Sequence, residues 1–346
     1  MTFRYCGEAK NVELQGDFYY IGKEPSKYTD NVKKLKMRKD STGCFSVTTQ
    51  PLQPEFYTYC FNVDGNRIPD PLNNDTAWQK QHLWSVLTIG GTEHTDLYLQ
   101  PERQGQMVRT RWYCENESLY RRLNVYLPAD YDPNGEPLDA IYLLHGINGY
   151  EGAWSERGRV IQIMENMVAQ GQMKPMVVVM PDINAFIQGD GPSLHTMWYS
   201  VTNFCRQQKA RYLEQSLLEL CQHIDTTYNV TGRNVIAGLS DGARLASNMA
   251  VQAPEDFYFV GMFTPVMPKK QIPDSTAMHC NIYGCTAYSV MLGKTDMFYN
   301  DGYKIHQRME KAGLPHTLDE FIYGHYWRTW RECLIRLFTY LSQPQS

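Results

Sequence analysis

Two different rhythms of apolar residues divide the chain. Over the first hundred residues, short β-favouring runs at 11–20, 45–49 and 56–63 are separated by turn signals such as Ser41-Thr42-Gly43 and Asp64-Gly65-Asn66. Runs of this length bounded by turn residues read as strands. In Tyr57-Thr58-Tyr59-Cys60-Phe61-Asn62-Val63 the large residues alternate onto one strand face, and Asp64-Gly65 offers a hairpin turn before Arg67-Ile68. No helix of ordinary length fits there, so residues 1–100 are expected to form a small antiparallel β-sandwich. The polar stretch 100–106 (QPERQGQ) has no periodicity, and it sets the expected boundary with a second domain at 101–346.

After that boundary, strand and helix patterns alternate. Strand candidates fall at 123–127, 140–144, 176–180, 235–237, 259–263, 289–292 and 318–322. Between most of them lie helical patterns: 160–169, 211–228 with Leu213, Leu217, Cys221 and Ile224 on one stripe, and 303–312 ended by Gly313. Such alternation calls for a mostly parallel sheet covered by helices on both faces.

Composition narrows the class without changing this picture. With 33 Lys and Arg against 37 Asp and Glu, the formal charge of −4 excludes a strongly basic nucleic-acid binder. The longest clean apolar run, residues 175–181, is far short of the roughly 20 residues that span a bilayer. The N-terminus, MTFRYCGEAK, lacks a secretory signal pattern. A cytoplasmic protein is implied if that terminus is native, and a secreted or periplasmic one if a signal has been removed. Nine scattered cysteines, odd in number and without C-x-x-C spacing, argue against a disulfide framework or a zinc site and lean toward a reducing compartment. Cys280 and Cys285 frame a C-x4-C stretch that reads as part of a strand.

Candidate chemistry centres on Gly238-Leu239-Ser240-Asp241-Gly242, a G-x-S-x-G pattern between a strand-like Asn234-Val235-Ile236-Ala237 and a helix-like run from Ala243. A sharp strand-to-helix turn leaves no room for side chains two positions either side of the serine, and it exposes the hydroxyl at a helix N-terminus. A bare serine is a poor nucleophile and needs a histidine base with an orienting acid. Asp296, in a loop after the 289–292 strand, and His325, after the 318–322 strand, supply both in the chain order Ser, Asp, His of α/β-hydrolases. Asp301 and Asp319 are weaker competitors, one at a helix start and one inside a strand. His145 precedes the serine and breaks that order. It opens His145-Gly146-Ile147-Asn148-Gly149, a loop suited to donating backbone N–H groups to an oxyanion, and the donors are assigned to Ile147 and Asp241. Trp154, Asn184, Trp198, Tyr326 and Trp327 are candidates for lining an acyl or sugar site, with ordinary packing as the alternative for the aromatics.

With these residues in place, the chain resembles the esterase D-type α/β-hydrolases that include feruloyl and acetyl-xylan esterases of carbohydrate esterase family one. The resemblance is carried by YLLHGINGYEGAW, GRVIQIMENMVAQGQMKPMVVVMPD, AGLSDGA, LGKTD and GHYWRTWRECL. The first hundred residues are similar to the immunoglobulin-like module, akin to glycogen-binding modules, that precedes such domains, through GDF, TGCFSVTTQPLQPEFYTYCFNVDG and DPLN. The resemblance implies a serine carboxylesterase acting on feruloyl or acetyl esters of plant cell-wall carbohydrate such as xylan. Ser240 would be the nucleophile, His325 the base and then acid, and Asp296 its orienting partner, with no metal or organic cofactor. It also implies an oligosaccharide or small-molecule ester as partner and a polysaccharide contact through the first module. The chain departs from the family where Asp241-Gly242-Ala243 replaces a common Met-Gly-Gly, so Asp241 is expected to turn away or pair with a cation such as Arg244. A second departure is Tyr323, which stands where a glycine often precedes Gly-His. The alternatives are a siderophore trilactone esterase, which shares a β-module and a similar hydrolase domain, and a non-catalytic glycan binder.

Overall fold

The computed structural model describes residues 1–20, 34–79, 82–147, 149–184, 203–266 and 287–343. They form two compact units, Met1–Gln100 and Pro101–Ser346. In the first, strands β1 (Thr2–Tyr5), β2 (Val12–Gly16), β3 (Leu35–Lys36), β4 (Arg38–Lys39), β5 (Phe45–Thr48), β6 (Glu55–Val63), β7 (Asn66–Ile68), β8 (Thr76–Gln79) and β9 (His82–Ile89) pair antiparallel throughout. One sheet runs β1-β5-β4 and the other β3-β2-β6-β9-β8, with β7 on β6. Tyr57, Tyr59 and Phe61 project from one face of β6 into a core with Phe3, Leu14, Phe18 and Phe45. Asp64 and Gly65 close the β6–β7 hairpin with φ of 49° and 92°, the left-handed pair that matches strand twist in a two-residue turn. The apolar run at 11–20 is not all strand: β2 ends at Gly16 and Asp17–Tyr20 turns as a 3-10 helix. The reason is tertiary: Asp17 accepts hydrogen bonds from the backbone N–H and hydroxyl of Thr58, 41 residues away on β6.

The cysteine reading is corrected here. Cys6 and Cys44 form a disulfide across 38 residues, their Cα atoms 4.3 Å apart. The register of β1 on β5 sets Tyr5 opposite Phe45, so the residues just beyond that pair face each other. Sequence spacing carries no trace of that register. Cys60, Cys114, Cys221 and Cys333 are free and buried, while Cys280 and Cys285 lie outside the described residues. Trp84 is also buried, with the Arg67 guanidinium 5.0 Å from its ring centre.

The second unit is built on β10 (Gln106–Cys114), β11 (Leu119–Leu127), β12 (Leu138–Leu144), β13 (Val177–Pro181), β14 (Val230–Leu239), β15 (Phe257–Phe263), β16 (Ala287–Gly293) and β17 (His316–Phe321). They form one sheet in the order β10-β11-β13-β12-β14-β15-β16-β17, antiparallel in its first two pairings and parallel in the rest. This is an α/β-hydrolase sheet. Its central strands are buried on both faces, which is why they read as unbroken apolar runs. Tyr142, Val179, Ile236 and Met262 point to one core, shared with Leu213, Leu217, Cys221 and Ile224 of the helix Asn203–Thr227 and with Leu245 and Met249 of the helix Asp241–Gln252. Their neighbours Ile141, Val178, Val235 and Phe259 are equally buried and, by the strand period, point to the other face. Strand β14 begins five residues before the expected 235, because Thr231, Gly232 and Arg233 are exposed and carry no apolar signal. Among the described residues no helix is long and apolar enough to cross a membrane.

Candidate active site

Parallel strands all end on one edge of a sheet, and the chemistry collects there. Ser240 follows β14 directly and leads into the helix Asp241–Gln252, with φ 57° and ψ −115°. That conformation is strained for a residue with a side chain, and the flanking glycines make it possible. A Cβ on Gly238 would lie 2.5 Å from the Gly242 carbonyl carbon, and one on Gly242 would lie 2.4 Å from the His145 carbonyl oxygen. The Ser240 N–H is fixed to the Phe263 carbonyl at 2.9 Å. Neither glycine can take a side chain without moving backbone, so the turn is held from both strands beside it.

Asp296 and His325 reach this elbow from the ends of β16 and β17. The Asp296 side chain is 1% exposed; one carboxylate oxygen accepts from the Phe298 N–H at 2.7 Å and the other from His325 Nδ1 at 2.8 Å. His325 Nε2 then lies 3.0 Å from Ser240 Oγ. With Nδ1–H given to the carboxylate, Nε2 carries the lone pair and accepts the serine proton in the hydrogen bond. The ring is clasped edge-on by Phe298 and Trp330, centroids 5.0 and 5.1 Å away. Thr329 Oγ1 donates to the Gly324 carbonyl at 2.5 Å and ties the residue before the histidine to the helix Trp327–Ser342. The arrangement can deprotonate a serine, hold the resulting imidazolium against a buried carboxylate and return the proton to a leaving group.

The other candidate residues separate on inspection. Ile147 is exposed, in the loop after β12. A Cβ on its neighbour Gly146 would lie 3.2 Å from Ser240 Cβ, so the loop runs past the serine. Asp241 opens the helix and its carboxylate accepts from Arg244 Nε at 2.8 Å, which neutralises the charge that this departure brings to the elbow. Asn184 turns its amide to the Gly149 carbonyl at 2.9 Å and to Asp182, so it pins the loop after β12. Two aromatics prove to be packing. Trp154 is 1% exposed, donates Nε1–H to the Leu144 carbonyl and meets Phe263 and Trp327, and Trp327 is itself buried. Both brace the site from beneath and offer no face to a ligand. Tyr326 is half-buried next to Tyr323, and Trp198 lies outside the described residues. No group of three metal-ligating side chains occurs among the described residues. Thr264, which the sequence reading did not single out, has its hydroxyl 3.3 Å from His325 Nδ1; a lone threonine after a strand has no motif to mark it.

Comparison with known proteins places the chain. The Esterase family model, described as "Putative esterase", matches residues 119–297, just over half of the chain, and the chain belongs to that family. It is 24% identical over 87% of its length to an endo-1,4-beta-xylanase/feruloyl esterase of Xylanibacter ruminicola, and it spans 40% of that relative. Among solved structures it is similar to a ferulic acid esterase of Anaeromyces mucronatus, with a TM-score of 0.59 and 17% identity over 77% of this chain and 96% of that one. It is equally similar in fold to the enterobactin esterase of Shigella flexneri, with a TM-score of 0.59 and 18% identity over 99% of this chain and 92% of that one.

Proposed function

We propose that the protein is a serine carboxylesterase that hydrolyses feruloyl or related hydroxycinnamoyl esters, or acetyl esters, on plant cell-wall carbohydrate such as xylan. The observation that carries the reading is Ser240 Oγ, at a strained elbow, 3.0 Å from the Nε2 of a histidine whose Nδ1–H is bound to a buried carboxylate. In this reading Ser240 Oγ attacks the ester carbonyl as its proton passes to His325 Nε2. The N–H groups of Ile147 and Asp241 meet the oxyanion, and the tetrahedral adduct collapses as His325 protonates the departing sugar oxygen. Water then attacks the acyl-serine, giving one proton to His325, and the acid leaves as the serine regains its own. Membership of the esterase family supports the reaction class. The substrate class is supported by the Xylanibacter relative, whose name joins a xylanase to a feruloyl esterase and whose match extends over most of this chain.

Wild type and Ser240→Ala, given methyl ferulate, p-nitrophenyl acetate and a feruloylated arabinoxylan fragment, test it. Wild type is expected to release acid, and the variant to lose activity by about 10⁴-fold or more, as removal of a serine nucleophile does elsewhere. The ratio of ferulate to acetate released then names the acyl group. A second reading, a siderophore trilactone esterase, is favoured by one observation: the enterobactin esterase fold covers 99% of this chain, both units included. Faster hydrolysis of a catecholate trilactone than of aryl-sugar esters would replace the first reading with the second.

A further inference from the structure

We propose that Thr264 is a positioning residue for His325, giving the imidazolium a second hydrogen-bond acceptor beside Asp296. The proposal rests on the esterase reading for its effect on rate, and on geometry for everything else. Thr264 is the first residue past β15, 2% exposed, and its backbone is left-handed with φ 44°. A β-branched residue in that region is a true outlier that the surroundings must enforce. They do so from the neighbouring strand, where the Met291 carbonyl accepts from the Thr264 N–H at 2.8 Å. The strain leaves the hydroxyl at one particular place. Trp330 Nε1–H donates to Thr264 Oγ1 at 2.9 Å, and Oγ1 lies 3.3 Å from His325 Nδ1.

The direction of the indole bond decides what the hydroxyl does. Its donor occupies one lone pair and orients the other toward the Nδ1–H, which is thus shared between Asp296 at 2.8 Å and Thr264 at 3.3 Å. Trp330 also stands edge-on to the same imidazole, so one side chain fixes both the ring and the hydroxyl that binds it. When Nε2 takes the serine proton, Nδ1–H becomes part of a cation and both acceptors gain strength. Among the described residues, Asp296, from the loop after β16, is a titratable group that faces the ring; Ser240, Phe298 and Trp330 also border it. An acceptor that binds the cation better than the neutral ring favours the protonated form that the reaction must reach.

The test uses the full chain with Thr264→Val, Thr264→Ser and Thr264→Gly. Valine keeps the shape and loses the hydroxyl, serine restores it, and glycine loses it while relieving the left-handed backbone. On methyl ferulate, Thr264→Val and Thr264→Gly are expected to lose roughly tenfold in kcat with little change in KM, the rate equivalent of one modest hydrogen bond. The acidic limb of their kcat/KM profile should move to lower pH, and Thr264→Ser should recover both. Titration of the His325 imidazole by nitrogen NMR gives a readout independent of turnover and is expected to fall in the same two variants. A titration unchanged in Thr264→Val and Thr264→Gly overturns the inference, as does a serine variant no better than valine. If wild type hydrolyses no ester at all, the esterase reading fails by itself and the NMR titration still decides the role of Thr264.

Discussion

Two histidines sit at strand ends on the same edge of the sheet, each within reach of a buried aspartate, and the structure turns them to opposite uses. His325 gives Nδ1–H to Asp296 and faces Ser240 with Nε2. His145, after β12, gives Nδ1–H to the Gly146 carbonyl at 2.7 Å and accepts the Ile183 N–H on Nε2 at 3.0 Å, with Asp182 3.5 Å away. Its ring is 2% exposed. Both nitrogens of His145 are thereby spent on backbone groups, and no lone pair is left for a substrate or a hydroxyl. A histidine beside a carboxylate is a base only when its free nitrogen faces something that loses a proton. His145 instead stitches the loop that carries Ile147 to the strand end at Ile183, helped by Asn184 on the Gly149 carbonyl.

The contrast breaks most visibly in a pair of variants. His325→Gln is expected to lose about 10⁴-fold or more in kcat on a soluble aryl ester with a small change in melting temperature, because its work is proton transfer and a glutamine amide can still donate to Asp296. His145→Leu, which has no acceptor, should do the reverse. The lost ring acceptor leaves the buried Ile183 N–H unpaired, which costs about 1–3 kcal/mol of stability, while turnover persists at a rate reduced by the loosened loop. Calorimetry and ester kinetics on the two proteins check this, and comparable losses of turnover would erase the distinction drawn between them.

Much of this division is legible in the sequence. The Ser240 elbow could be read because glycines at fixed offsets between a strand and a helix have a steric cause, and Asp296 and His325 because they follow strands that end on that edge. Chain order set His145 apart from the start. What it binds was hidden, since Ile183 and Asp182 meet it through the pairing of β12 with β13, a tertiary fact. The same limit explains the Cys6–Cys44 bridge, which depends on strand register. Trp154 and Trp327 meet a related limit: an aromatic beside a motif shows its identity but not which way it points, and both point inward, which selects packing over lining. Thr264 carries its signal in a backbone angle that no sequence pattern records.

The smallest expected effect concerns the partner of the structural histidine. The Asp182 side chain is fully buried and holds the Asn184 N–H at 3.0 Å and Arg122 Nη2 at 3.3 Å. Burial by itself would push its carboxyl up, but the Asn184 N–H and side-chain amide and the Arg122 guanidinium donate to it and hold it below the usual carboxylate range. A carboxyl depressed in the folded protein contributes stability above its ordinary value of about 4 and loses it as pH falls toward the folded value, because the unfolded chain takes up the proton first. Wild type should therefore melt at progressively lower temperature below about pH 4, and Asp182→Asn, which has no proton to gain, should show a shallower decline over the same range. Parallel melting curves in the two proteins would mean that the fold does not hold the Asp182 carboxyl below its ordinary range. Its contacts with Arg122 and Asn184 would then bring no net electrostatic stabilisation to the fold.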